Sequence, residues 1–314
     1  MKILITGGGG FQGSHLAEFL AAKGHTITVL NTFNTESEKN TKGFKEKGIT
    51  VVWGSITDRI IVNKTVPGHD VIFHLAANVN VDESLEDPLS FIQVNVIQGT
   101  FNILEAAKKN HTRLIYASTC EVYGDGHDLP DGKFLDETME LKPNSPYASS
   151  KAAADRICYS YYKSFGMNIT IVRPFNIFGE RQKSGTFGAL IPILVRKALA
   201  GVKLTVFGDG SATRDYLYIS DLINAYDLVL NNEKLAGKVV NFASGKNTSV
   251  KEIATYIANK LGAEIEYGPE RPGEVMRFPA DISFAKSLGF KPQVDIWEGI
   301  DRYIEWAKGR TPLK

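Results

Sequence analysis

Two cysteines in 314 residues, Cys120 and Cys158, are too few for a disulfide framework and form no metal-ligand spacing. Charge of one sign is missing as well. Lysine plus arginine number 36 against 35 aspartate plus glutamate, so the net charge of +1 gathers no polyanion, and nucleic acid is not an expected partner. No apolar run approaches the ~18 residues of a membrane-spanning helix. The opening M-K-I-L-I-T-G-G lacks the basic-then-apolar layout of a secretory leader. No internal repeat or low-complexity tract stands out. These absences together lead to the expectation of a cytoplasmic protein with no membrane partner and no metal. What is present is an ordinary globular composition, 43% hydrophobic and 23% charged, over a length that suits two lobes.

Short apolar runs alternate with helix-like stretches through the first part of the chain. Strands are expected at residues 2–6, 26–30, 49–58, 70–77, 114–117 and 168–179, and this βαβ rhythm argues for an α/β fold with a doubly wound parallel sheet. From Asp87 to Asn110 the spacing of Leu89, Ile92, Val96, Ile103, Leu104 and Ala107 predicts one long amphipathic helix with Pro88 in its first turn. A second long helix runs from about Tyr147 to Phe165. Beyond Gly179 the elements shorten, with a helix candidate at 188–199 and a strand and tight turn at 204–210.

The first strand runs into T-G-G-G-G-F-Q-G-S-H, which sets Gly7, Gly10 and Gly13 three apart, with Phe11 and Gln12 between the last two. Glycines there leave the turn unobstructed, so backbone N–H groups and the following helix N-terminus can approach a pyrophosphate. The second strand ends in Asn31 where an acidic residue would hold the ribose hydroxyls of NAD. A neutral amide does not repel a 2′-phosphate, so NAD and NADP both stay open. The fourth strand ends in Leu75, Ala76 and Ala77, small enough to let a cofactor lie across the sheet edge. His74 before them reads as a packed strand residue without a visible partner.

The stretch from Leu114 to Lys151 carries the chemistry. The apolar L-I-Y-A passes at once into S-T-C-E-V-Y-G, so Thr119, Cys120 and Glu121 stand at a strand end. P-Y-A-S-S-K follows, and its Tyr147 and Lys151 are four apart, on one face of a helix. A lysine so placed favours the phenolate, which is otherwise scarce at neutral pH for a phenol of ordinary pKa near 10.

These two motifs together resemble the extended short-chain dehydrogenase/reductases that modify nucleotide sugars. The resemblance spans residue 2 to about 306 and implies a Rossmann-type NAD(P)-binding domain over 1–176, to which the chain returns around 215–245. It also implies a smaller C-terminal α/β lobe over 177–314 that binds the nucleotide sugar. Thr119, Tyr147 and Lys151 would be the catalytic triad. Ser55 and Ile56 occupy the adenine-side positions, with a neutral residue where the family has aspartate, and Asn95 belongs to the matching N-x-x-x-G-T helix. On the substrate side the resemblance implies Asn176, Arg214 from R-D-Y-L-Y-I-S-D, and Arg271 with Glu274 from R-P-G-E. The long helices would pair with their copies in a homodimer.

The reaction turns on the two residues after Thr119. In the resembling 4,6-dehydratases the motif is T-D-E-V-Y-G, with the glutamate as the C5 base and the aspartate as the acid for the departing 6-hydroxyl. Here Glu121 is kept and Cys120 replaces the acid. A thiol of ordinary pKa near 8.5 is protonated at pH 7 and can donate, and it can equally be a small buried filler. The expectation is a dehydratase acting on a UDP-N-acetylhexosamine such as UDP-GlcNAc, with hydride returned to C6 or C4. A 4-epimerase, and a UDP-glucuronate decarboxylase with the T-S-E-V-Y-G motif and Arg181 for the sugar carboxylate, are the alternatives, and a non-catalytic dinucleotide sensor is the alternative of another class.

Overall fold

A computed structural model describes the chain except for Asp128, Asp131, Ser184, Thr186, Phe187 and residues 271–274 and 311–314. The chain divides into two compact units. The first comprises Met1–Val122, Pro143–Arg173 and Ile223–Val240, and the second comprises Tyr123–Lys142, Pro174–Leu222 and Asn241–Lys314.

The framework of the first unit is a parallel sheet. Its strands β1 (Lys2–Thr6), β2 (Thr26–Asn31), β3 (Thr50–Trp53), β4 (Val71–His74), β5 (Arg113–Ala117) and β6 (Ile169–Pro174) lie in the order β3-β2-β1-β4-β5-β6, and Val239–Phe242 adds a seventh strand beyond β6. Central strands of such a sheet are covered on both faces. β4, β5 and β6 are accordingly buried at every residue, which is why they read as mostly apolar runs rather than as alternating ones. On one face Leu4, Ile72, Leu114 and Ile171 pack against Ile103, Leu104, Ala107, Ala154 and Cys158 of the helices Gly99–Lys109 and Pro146–Phe165. Strand order reverses between β1 and β4, and the crevice at the carboxyl ends of those two strands is where an open α/β sheet receives its ligand.

The predicted helix over Asp87–Asn110 is three segments: Pro88–Ile92, a π-helical turn at Gln93–Gln98, and Gly99–Lys109. The Thr100 hydroxyl donates to the Asn95 carbonyl oxygen at 2.6 Å, a bond that widens the turn. Four of the six positions of the predicted apolar face are buried. Val96, Ile103, Leu104 and Ala107 enter the core, whereas Leu89 is 61% and Ile92 40% exposed.

The helix Pro146–Phe165 is capped as its sequence suggests. Ser145 accepts from the Ala148 N–H, Pro146 fills the first turn, and Gly166 closes the helix at φ +64°. In the second unit, Thr213–Asp215 lies between Asn247–Ser249 and Arg277–Phe278, and Leu204–Phe207 pairs with Ile265–Gly268. Among the described residues no helix is long and apolar enough to cross a membrane.

Candidate active site

The turn after β1 is built to lie close to other backbone. Gly7 has φ +72°, and a Cβ there would come within 2.8 Å of the Ala76 nitrogen. A Cβ on Gly13 would fall 2.2 Å from the Gly7 carbonyl oxygen. Side chains are therefore excluded from the turn. Gly10 stands at the N-cap of the helix Phe11–Ala22 with no side-chain cap, so the first-turn N–H groups face an approaching anion unobstructed. This cradle fits the pyrophosphate of a dinucleotide. The Gln12 side chain is directed inward and accepts from the Tyr226 hydroxyl at 2.9 Å.

The residues expected on the adenine side are more committed to the protein than their positions suggested. Asn31 accepts from the Gly9 N–H at 3.1 Å and donates to the Thr32 carbonyl at 2.7 Å, so its amide braces the glycine turn. Ser55 bonds Thr57 at 2.7 Å. The Ile56 side chain belongs to the core, and its carbonyl accepts from Asn102. Leu75 and Ala76 follow β4 directly, with the Leu75 N–H bonded to the Thr6 carbonyl and the Ala76 N–H to the Thr6 hydroxyl. Ala77 follows before Asn78, whose N–H and carbonyl are both held by the Asn95 amide at 2.8 and 2.9 Å.

At the end of β5 the residues expected to react come together. The Thr119 hydroxyl is hydrogen-bonded to the Tyr147 phenol, and the Glu121 carboxylate and Cys120 thiol both act on that phenol electrostatically. Cys120 opens a short 3₁₀ turn, Cys120–Tyr123, and is buried. The Glu121 N–H also bonds Thr119 Oγ1, at 3.3 Å. Burial pushes the Tyr147 phenol well above its ordinary value, with the Thr119 bond opposing and Glu121 and Cys120 adding to the rise. The expectation that Lys151 favours the phenolate is thus not met by direct contact. The Lys151 ammonium instead lies 2.5 Å from the Ala117 carbonyl oxygen and 4.4 Å from the Tyr116 ring centroid. Burial lowers it to about 8, with Cys158 and Asp155 opposing.

Sequence reasoning missed Asp155. It stands one further helical turn beyond Tyr147 and Lys151 on the same face, fully buried, and binds Arg173 of β6 at 2.9 Å and also Arg156. Burial pushes its carboxyl up, and the two guanidinium groups outweigh that and hold it below its ordinary value. The i, i+4, i+8 spacing was the available signal. His74 has partners after all: Thr6 Oγ1 at 2.7 Å and Thr100 Oγ1 at 3.1 Å. They lie 68 and 26 residues away in sequence, so local pattern could not show them.

In the second unit Asn176 donates to the Asp215 carbonyl at 3.3 Å. Arg214 lies over the Phe278 ring, 5.3 Å from its centroid, and one of its nitrogens donates to the Thr213 carbonyl. Asp215 beside it is buried and accepts from the Ser244 and Gly245 N–H groups, both at 2.7 Å. Arg181 has a left-handed φ of 68°. Arg271 and Glu274 lie outside the described residues. No cluster among the described residues could hold a metal ion.

Comparison with known proteins matches this arrangement to a family and to three different reactions within it. The NAD dependent epimerase/dehydratase family matches residues 3–243. A UDP-N-acetyl-alpha-D-glucosaminuronate decarboxylase of Bacillus cytotoxicus is 34% identical over 98% of each chain. A dTDP-glucose 4,6-dehydratase of Streptomyces niveus is 33% identical over 100% of this chain and 96% of its own. Among solved structures, the Thermus thermophilus UDP-glucose 4-epimerase in complex with NAD superposes with a TM-score of 0.90 at 30% identity, covering 99% of this chain and 100% of the other. The glycine cradle, the sheet order and these relatives agree, and the chain belongs to the NAD-dependent epimerase/dehydratase family, with NAD(P) as its cofactor.

Proposed function

We propose that this protein is a nucleotide-sugar dehydratase acting on a UDP-N-acetylhexosamine such as UDP-GlcNAc. One observation carries the reading: Glu121 stands in the turn that follows β5, with its N–H bonded to Thr119 Oγ1 at 3.3 Å, and it acts on the Tyr147 phenol. Tyr147 as base takes the proton of the sugar 4-hydroxyl, and Thr119 holds the same oxygen. A dinucleotide held at the turn of Gly7, Gly10 and Gly13 would supply the hydride acceptor, and its positive charge when oxidised would favour the Tyr147 phenolate. Oxidation at C4 acidifies C5–H, which Glu121 removes. The C6–O bond then breaks, the Cys120 thiol donates the proton with which hydroxide leaves as water, and the hydride taken from C4 would return either to C6, with a proton from Glu121 to C5, or to C4, with the 5,6-alkene kept. Epimerisation at C4 leaves C5–H intact and has no use for a carboxylate here, whereas both dehydration and loss of CO₂ occur at C5 in relatives whose motif keeps this glutamate.

On the substrate side, the reading assigns the diphosphate to Arg214, whose planar guanidinium suits it, and Asn176 to the sugar nucleotide. Arg271 to phosphate and Glu274 to the ribose hydroxyls complete the reading from sequence. The exposed apolar side chains Leu85, Leu89, Ile97, Phe101 and Phe165 support a homodimer through the helical face that carries them.

Loss of CO₂ from a uronate is the second reading, favoured by the identity to a decarboxylase. Label tracing separates the reactions. With UDP-GlcNAc deuterated at C4, the dehydratase reading expects deuterium at C6, or back at C4 beside a new exocyclic alkene. Inverted C4 with an intact C5–H bond overturns it in favour of epimerisation. Inert UDP-GlcNAc with CO₂ released from the corresponding uronate overturns it in favour of the decarboxylase.

A further inference from the structure

The hydroxyls around His74 fix its protons. Thr100 Oγ1 donates its only hydrogen to the Asn95 carbonyl at 2.6 Å, and a carbonyl cannot donate in return. Toward His74 Nε2, at 3.1 Å, Thr100 must therefore accept, so Nε2 carries the hydrogen. Burial, with the Lys151 charge adding to it, drops the imidazole to about 3, so the ring is neutral and Nδ1 is bare. Nδ1 then accepts from the Thr6 hydroxyl at 2.7 Å, and Thr6 Oγ1 in turn accepts from the Ala76 N–H at 3.2 Å. The direction of every bond follows from one carbonyl.

The far end of this chain of bonds returns to the same loop. Asn95, whose carbonyl ends the chain, uses its side chain to hold both the N–H and the carbonyl of Asn78. Its second amide hydrogen goes to Ser150 Oγ at 2.9 Å, and Ser150 donates to the Tyr147 carbonyl at 2.7 Å. Thr6, His74, Asn95, Thr100 and Ser150 are all buried, so water does not substitute for a missing link. The loop from Ala76 to Asn78, against which the glycine turn packs, is thus held at both ends by one circuit that also reaches the turn bearing Tyr147.

We infer that His74 is a positioning residue: a neutral imidazole, locked with its hydrogen on Nε2, that ties the cofactor loop Ala76–Asn78 to the Tyr147 turn through Thr6, Thr100 and Asn95. It does not touch the reacting atoms. Its effect is on cofactor affinity and on the registration of the loop with the base. The inference rests on the cofactor and not on which sugar is converted, so it stands or falls independently of the dehydratase reading.

The test uses the intact protein labelled with ¹⁵N in its histidine rings, with His74 assigned from the spectrum of His74→Gln. The expected spectrum has a protonated Nε2 and a bare Nδ1 that do not change between pH 5.5 and 8. Thr100→Val keeps the volume and removes the acceptor. It should move the hydrogen to Nδ1 and weaken NAD binding, titrated by fluorescence, about tenfold, while Thr100→Ser recovers most of that loss. If Thr100→Val does not fold, Thr6→Val breaks the circuit from the other side, and the same loss of affinity is expected with the Nε2 hydrogen retained. A hydrogen on Nδ1 in the parent protein, a His74 that titrates near 6.5, or a folded valine variant with parental NAD affinity overturns the inference.

Discussion

Lys151 is bonded to Ala117: its ammonium lies 2.5 Å from the carbonyl oxygen of the last residue of β5. One lysine therefore stitches the helix that carries Tyr147 to the strand end that leads into Thr119. Its charge is retained in a buried place where a carbonyl and an aromatic face stand close, and Cys158 and Asp155 oppose the effect of burial.

That arrangement makes stability depend on pH in a definite direction. Burial lowers Lys151 from the ordinary 10.5 to about 8, so between these values the unfolded chain binds more protons than the folded one. Stability from this group is then present above 10.5, grows as pH rises through the window, and is lost as pH falls through 8. The shift corresponds to roughly 3 kcal/mol at most. Lys151→Met should therefore be more stable than the parent at pH 7 in cofactor-free protein, with the gap closing toward pH 10 in urea denaturation. A gap that is constant with pH would remove the lysine as its source.

Tyr147→Phe keeps the ring and removes the base. Turnover should fall by ~10²- to 10⁴-fold, the worth of general base catalysis, while binding of the nucleotide sugar measured by calorimetry changes little. Activity within a few-fold of the parent would assign the base to another group.

Arg214→Ala should weaken UDP itself as strongly as the sugar nucleotide, because the two share the diphosphate. A charge-assisted bond of ~1.5–3 kcal/mol corresponds to roughly 10- to 150-fold in affinity. Parental affinity for UDP would take Arg214 out of the site.

What the sequence showed and what it hid follow from the range of the interactions. The parallel sheet was legible because β4, β5 and β6 are buried on both faces and so read as short, mostly apolar runs without alternation. Thr119 and Tyr147 were singled out by two local motifs and a family resemblance, and the structure sets Thr119 just after β5 and Tyr147 in the first turn of the helix Pro146–Phe165. The π turn at Gln93–Gln98 was not, since it depends on where the Thr100 hydroxyl finds its acceptor and leaves no trace in hydrophobic spacing. The partners of His74 and the Asp155–Arg173 ion pair were hidden for the same reason: each is a tertiary bond between residues that no local window contains. Asn31 was read from the cofactor side alone, whereas its amide is spent on the turn that would hold that cofactor.

The central claim is that Glu121 removes the C5 proton of a 4-keto sugar, and Glu121→Gln tests it in one experiment with UDP-GlcNAc in D₂O. The parent enzyme should place solvent deuterium at C5 of a 6-deoxy-4-keto product or form the 5,6-alkene. In the variant the bound cofactor should still become reduced, because Tyr147 and Thr119 are intact, yet neither C5 exchange nor loss of water should follow. Parental rates of dehydration in Glu121→Gln, or a parent enzyme that inverts C4 and leaves C5–H unexchanged, would contradict the account.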